Sequence, residues 1–181
     1  MEMKYLYPRE LKLQFLGEGE WLDEPDEIKF KYKSYECWVR RFFEKEPYTE
    51  KLHYSGGYLC GYVAIPSDHP SYQKRYEDID IAVHGGLTFG MCSERHWIGF
   101  DCAHAGDLLP SMEQLMKTLP SMIELKKKNE ELKKEFKLEN HYLFNSSYKN
   151  TEFCILECHS MVDQLIDIKN NQGNNNESPN T

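Results

Sequence analysis

Between Glu27 and Phe43 apolar and polar residues alternate with a period of two, the mark of strands covered on one face. Ile28, Phe30 and Tyr32 alternate with lysines, Lys33-Ser34 carries a turn, and Tyr35 to Phe43 returns, so the stretch predicts a hairpin. In the return strand Cys37, Val39 and Arg41 share one face, and Trp38, Arg40 and Phe42 share the other. Glu44 to Gly57 reads as a loop, and Tyr58 to Ile65 as a central strand ended by Pro66. Two further strands are expected near Ile79 to Thr88 and near Trp97 to Asp101. Ahead of these, a short strand or helical turn is expected around Leu11 to Leu16.

After Pro110 the period changes. Met112, Leu115, Met116 and Leu119 have helical spacing, and Ser121 after Pro120 is placed to cap a second, charge-rich helix over 121–139. In the final helix Cys154, Cys158, Met161, Leu165 and Ile168 form an apolar seam that suits packing on a sheet or on a second copy of the chain. From Asn170 onward nothing apolar remains, which predicts a disordered polar tail over 170–181. Strands followed by helices predict one α+β domain over 1–169, a small, mostly antiparallel sheet with two or three C-terminal helices.

Composition narrows the setting. The chain has 181 residues, enough for one domain with its own core. A net charge of −8 disfavours duplex nucleic acid as a partner. No run reaches membrane-helix length, and no signal-peptide run opens the chain, so a cytoplasmic protein is expected. Its six cysteines are then expected to be mostly buried free thiols.

The candidate chemistry is concentrated between Asp80 and Asp107. His84 precedes Gly85-Gly86, a doublet that lets a ligand or another backbone approach closely, or else simply forms a turn. Asp101-Cys102-Ala103-His104-Ala105-Gly106-Asp107 gathers residue types that bind divalent metals or run acid–base chemistry, though with no established zinc spacing. The long loop 67–76 carries His69, Tyr72 and Tyr76 and has the composition of a pocket lid. The ligand-binding set expected from this reading is His69, Tyr72, Tyr76, His84, Gly85, Gly86, Thr88, Asp101, His104 and Asp107. If the protein is an enzyme, His84, His104, Asp101 and Asp107 are its catalytic candidates. No organic cofactor is expected; a divalent metal is compatible with the ligands.

The chain resembles a family of small bacteriophage- and prophage-encoded proteins. The resemblance rests on Cys60-Gly61-Tyr62-Val63, His69-Pro70 with Tyr72, Val83-His84-Gly85-Gly86-Leu87-Thr88-Phe89, Trp97 through Asp107, and Glu157-Cys158 with Val162-Asp163-Gln164-Leu165. It implies a phage protein acting in the bacterial cytoplasm, where sequestering a nucleotide-derived signal would counter host defence. Three functions stay open at this point. The first is a nucleotide-binding sponge, working as a homo-oligomer. The second is a hydrolase of a nucleotide-like substrate, with or without a metal. The third is a protein–protein inhibitor of a host enzyme.

Overall fold

A computed structural model describes residues 1–45, 54–121 and 146–175, with scattered helical positions between 122 and 131. Most of the charged segment 121–139 and the end of the tail lie outside the described residues. Six strands form one antiparallel sheet: β1 (Glu2–Lys4), β2 (Glu27–Tyr32), β3 (Tyr35–Lys45), β4 (Tyr54–Ile65), β5 (Phe89–Cys92) and β6 (His96–Asp101). Their order across the sheet is β1-β2-β3-β4-β6-β5. Helices among the described residues include α1 (Arg9–Leu16), α2 (Pro110–Thr118) and α3 (Thr151–Asn175). This is the expected single α+β unit, with one helix ahead of the main strands.

The β2–β3 hairpin pairs Ile28 with Val39 and Tyr32 with Tyr35, as the alternation required. Lys33 and Ser34 both take positive φ, 45° and 72°, which matches the twist of a two-residue hairpin turn. The pairing of β3 with β4 runs past the expected loop boundary to Lys45 and Tyr54, through an irregularity at Phe42 and Phe43.

Helix α3 closes one face of the sheet. Cys154, Cys158, Met161 and Leu165 are fully buried against Val39, Leu59, Val63, Ile98 and Phe100, and Ile168 is partly buried beside them. The seam is therefore filled by the chain's own sheet. The helix continues beyond Asn170 to Asn175. Further along the same side, Leu16 of α1 joins Trp21, Leu22 and Phe43 in a smaller core.

A buried charge network fills the space between the N-terminal segment, the sheet and the start of α3. Arg41 Nε donates to Asp26 Oδ1 at 2.8 Å, and its other nitrogens donate to Gly57 O, the Tyr148 hydroxyl and Glu24. Asp26 also accepts from the backbone of Leu6 and Tyr7 and from Lys12 Nζ. Glu24 accepts from the amide of Thr151, in the first turn of α3, where orphan N–H groups need an acceptor. Sequence periodicity put Arg41 on one face with Cys37 and Val39; the tertiary structure shows that this face is buried and what neutralises the guanidinium.

The expected strand Ile79 to Thr88 does not form. Side chains of α3 instead satisfy the backbone at Ala82 and His84. The Gln164 carboxamide accepts from Ala82 N and donates to Ala82 O, each at 2.7 Å, imitating one rung of a ladder. The amide of His84 donates to Glu157 Oε2 at 2.8 Å. Ladder pairing begins only at Phe89, opposite Gly99.

Candidate functional site

Two turns bring the chemistry together. In the first, Gly86 N donates to Val83 O at 2.9 Å, and Gly85 sits third in the turn with φ of 67°, the position at which a type II turn needs positive φ. In the second, Asp107 N donates to His104 O and His104 N donates to Asp107 Oδ2, both at 2.9 Å. Asp107 is further pinned by a parallel bridge to Ser147, and Leu108 N donates to Ser147 O. The turns meet because Gly85 has no side chain. A Cβ on Gly85 would lie 2.1–2.3 Å from the His104 ring atoms, so the imidazole occupies the space that any other residue would fill.

The result is a compact cluster. His84 Nε2 lies 2.8 Å from Asp107 Oδ2 and 3.1 Å from Oδ1. Asp107 is nearly inaccessible, with 2% of its side chain exposed, whereas His84 and His104 are exposed by 21% and 30%. His104 Nδ1 is 3.8 Å from both Asp107 Oδ2 and Asp101 Oδ1, and it is buried without a hydrogen-bond partner. Asp101 accepts from Ala103 N at 3.0 Å, which tightens the turn leading to His104. Lys149 Nζ stands 3.9 Å from Asp107 Oδ1, and the Phe153 ring packs edge-on against His84.

One ligand atom each from His84, His104 and Asp107 falls within 4.8 Å of the others. Two imidazoles and a carboxylate are a donor set for zinc or another divalent transition metal. Tetrahedral coordination at about 2.0–2.1 Å places ligand atoms roughly 3.3 Å apart. The 2.8 Å and 3.8 Å separations of the two imidazoles from Asp107 Oδ2 bracket that value. Three protein ligands leave a coordination position for water or substrate. His104 Nδ1 is buried and has no hydrogen-bond partner among the described residues.

The other sequence candidates lie elsewhere. His69 is buried; its Nε2 donates to Leu165 O at 2.8 Å, and its Nδ1 accepts from Ser71 N. Burial pushes its pKa down, in keeping with a neutral ring that has both nitrogens satisfied. Tyr72 packs edge-on to His96, and Tyr76 lies over Gly90. Along α3, Leu165 is twelve residues from Phe153, about 18 Å, so this loop covers the other end of the helix from the His84 cluster. Thr88 is exposed and donates its backbone N–H to Gly99 O at the entry to β5. Gly86 N is used within its own turn. Cys102 points into the core, 3.7 Å from the Cys154 sulfur, and takes no part in the cluster.

Sequence reading missed Lys149, Phe153, Glu157 and Gln164. The last three lie on one stripe of α3 beside the cysteine seam, and that spacing was the available signal. Three surface concavities, around Lys12, Tyr72 and Trp38, lie away from the cluster. Among the described residues no helix is long and apolar enough to cross a membrane. No protein-family model, no curated protein and no solved structure matches this chain, and the reading of the site therefore rests on its geometry alone.

Proposed function

We propose that His84, His104 and Asp107 hold a divalent transition metal and that the protein is a metal-dependent hydrolase of a small phosphate-bearing molecule. The observation that carries this reading is the convergence of three ligand atoms around a buried, unpartnered imidazole nitrogen. A bound metal would supply an acidified water and polarise a phosphoryl oxygen. Asp101, 3.8 Å from His104 Nδ1, is a carboxylate that would accept a proton beside such a metal. The Lys149 ammonium beside Asp107 is a cation for a substrate oxygen. The substrate proposed is a nucleotide derivative, with a role against host defence.

The test is zinc or manganese titration by calorimetry, followed by hydrolysis assays on nucleotides and a chromogenic phosphodiester. Near-stoichiometric binding that His104→Gln and Asp107→Asn abolish, with turnover lost in the same variants, is the expected result. Nucleotide binding without turnover, unaffected by chelator, would transfer the site to the sequestration reading. Neither metal nor nucleotide binding would remove both.

A further inference from the structure

The sheet face away from the helices carries rings where solvent-facing strand positions are ordinarily polar. The register sets Trp38 opposite Tyr62, Tyr62 opposite Gly99, and Gly99 opposite Phe89; Trp97 stands opposite Met91 on the same face. Trp38 lies 5.3 Å from Tyr62 and 6.2 Å from Trp97 by ring centroids, and Tyr62 lies 5.1 Å from Phe89. All four rings remain partly exposed, and Met91 is exposed. The described helices pack on the opposite face, so nothing among the described residues shields this one.

Cations are set around these rings. Lys29 Nζ stands 5.1 Å from the Trp38 ring centroid and the Arg40 guanidinium 5.7 Å from it. Arg40 forms no ion pair among the described residues. Lys31 and Arg95 complete the rim, both beside Glu36. A concavity of about 850 Å³ is lined by Lys29, Lys31, Trp38, Arg95 and Trp97, with Glu2 and Glu36 also on its wall. The Trp38 indole N–H has no acceptor.

We propose that this face binds single-stranded nucleic acid. Bases stack on Trp38, Trp97 and Tyr62, and phosphates lie against Lys29, Arg40 and Arg95. Flat rings bordered by cations suit a ligand that is both planar and anionic, and an antiparallel sheet with helices behind it presents such rings to splayed bases. A duplex keeps its bases stacked on each other and offers none to the rings. A basic peptide would meet the cations. The net charge of −8 acts mainly at long range and is screened at physiological salt, whereas these contacts are local.

The experiment is fluorescence anisotropy of a labelled single-stranded pyrimidine oligonucleotide of about 12 residues, titrated with the full chain at low salt. Saturable binding is expected. Trp97→Ala should weaken it about tenfold or more. Lys29→Gln and Arg40→Gln, exposed changes that leave the core untouched, should weaken it severalfold and flatten its salt dependence. The same sequence as a duplex should not compete, and His104→Gln should bind like the parent, which separates this face from the metal site. No anisotropy change up to about 100 μM, at the weak end of non-specific binding, overturns the proposal. So does affinity that Lys29→Gln and Arg40→Gln leave unchanged. A parent dimer that Trp97→Ala converts to monomer in light scattering also overturns it, by assigning the face to a second copy.

Discussion

Gly85 and Gly86 offer a matched pair of substitutions. Their φ values are 67° and 87°, so alanine at either position meets similar backbone strain, about 1–2 kcal/mol. Stiffening of the unfolded chain adds a smaller term that is the same for both. Each variant should lose about 1 kcal/mol, or roughly 2–4 °C in Tm for a chain of this size. The side-chain consequences differ. A Cβ on Gly86 meets nothing within 4 Å, whereas one on Gly85 lies 2.1 Å from His104 Cε1. The His104 ring must therefore retreat by about 1 Å to restore ordinary contact near 3.4 Å. Metal–ligand distances tolerate only about 0.2 Å. Gly85→Ala should thus lower divalent-metal affinity at least about 100-fold, while Gly86→Ala leaves it within about threefold. Calorimetry with zinc and thermal melts of the two variants measure both quantities. Side-chain NMR signals of His104 give a metal-free check, shifted in Gly85→Ala only. Equal metal affinities and equal His104 spectra in the two variants would refute the reasoning.

Three further outcomes follow from buried groups. Arg41→Ala strips four hydrogen bonds from the network and leaves Asp26 short of a cation, at a cost of about 3–5 kcal/mol in denaturant titrations; a loss below about 1 kcal/mol would mean the network is not coupled to folding. Cys92 is exposed and the other five cysteines are buried, with burial pushing Cys37 and Cys60 up to about 12, so a thiol reagent should titrate one group in the native chain and six after unfolding; two or more fast native thiols would contradict that. Burial lowers the pKa of His69 and His96 below 6.5, so the unfolded chain takes up protons first as pH falls through that value. Stability should drop between about pH 7 and pH 5.5, and His69→Gln should shrink the drop; a Tm that is flat or rising on acidification would be the opposite sign.

Alternation along Glu27 to Phe43 determined the hairpin, its turn at Lys33-Ser34 and the shared face of Cys37, Val39 and Arg41, because strand period is a local property of the sequence; that this face is the buried one was decided by the helix packed on it. The seam of α3 was legible for the same reason, and so was the concentration of chemistry near His84 and Asp101–Asp107. What lies opposite those residues was not legible. The Ile79–Thr88 run has strand composition, yet its hydrogen bonds go to Gln164 and Glu157, some eighty residues away, and only packing of α3 makes those partners present. His69, Tyr72 and Tyr76 look like a lid in sequence, but His69 binds the Leu165 carbonyl and Tyr72 packs on His96, so they close the core rather than join the cluster. The glycine doublet announced a close approach without saying of what; the tertiary structure decided that it is the His104 ring. Sequence alone located the stretch where candidate chemistry is concentrated and the alternation of strand and helix faces. The convergence of the candidate residues depended on long-range contacts, above all the pinning of Asp107 by Ser147 and of His84 by Glu157, which no local pattern encodes.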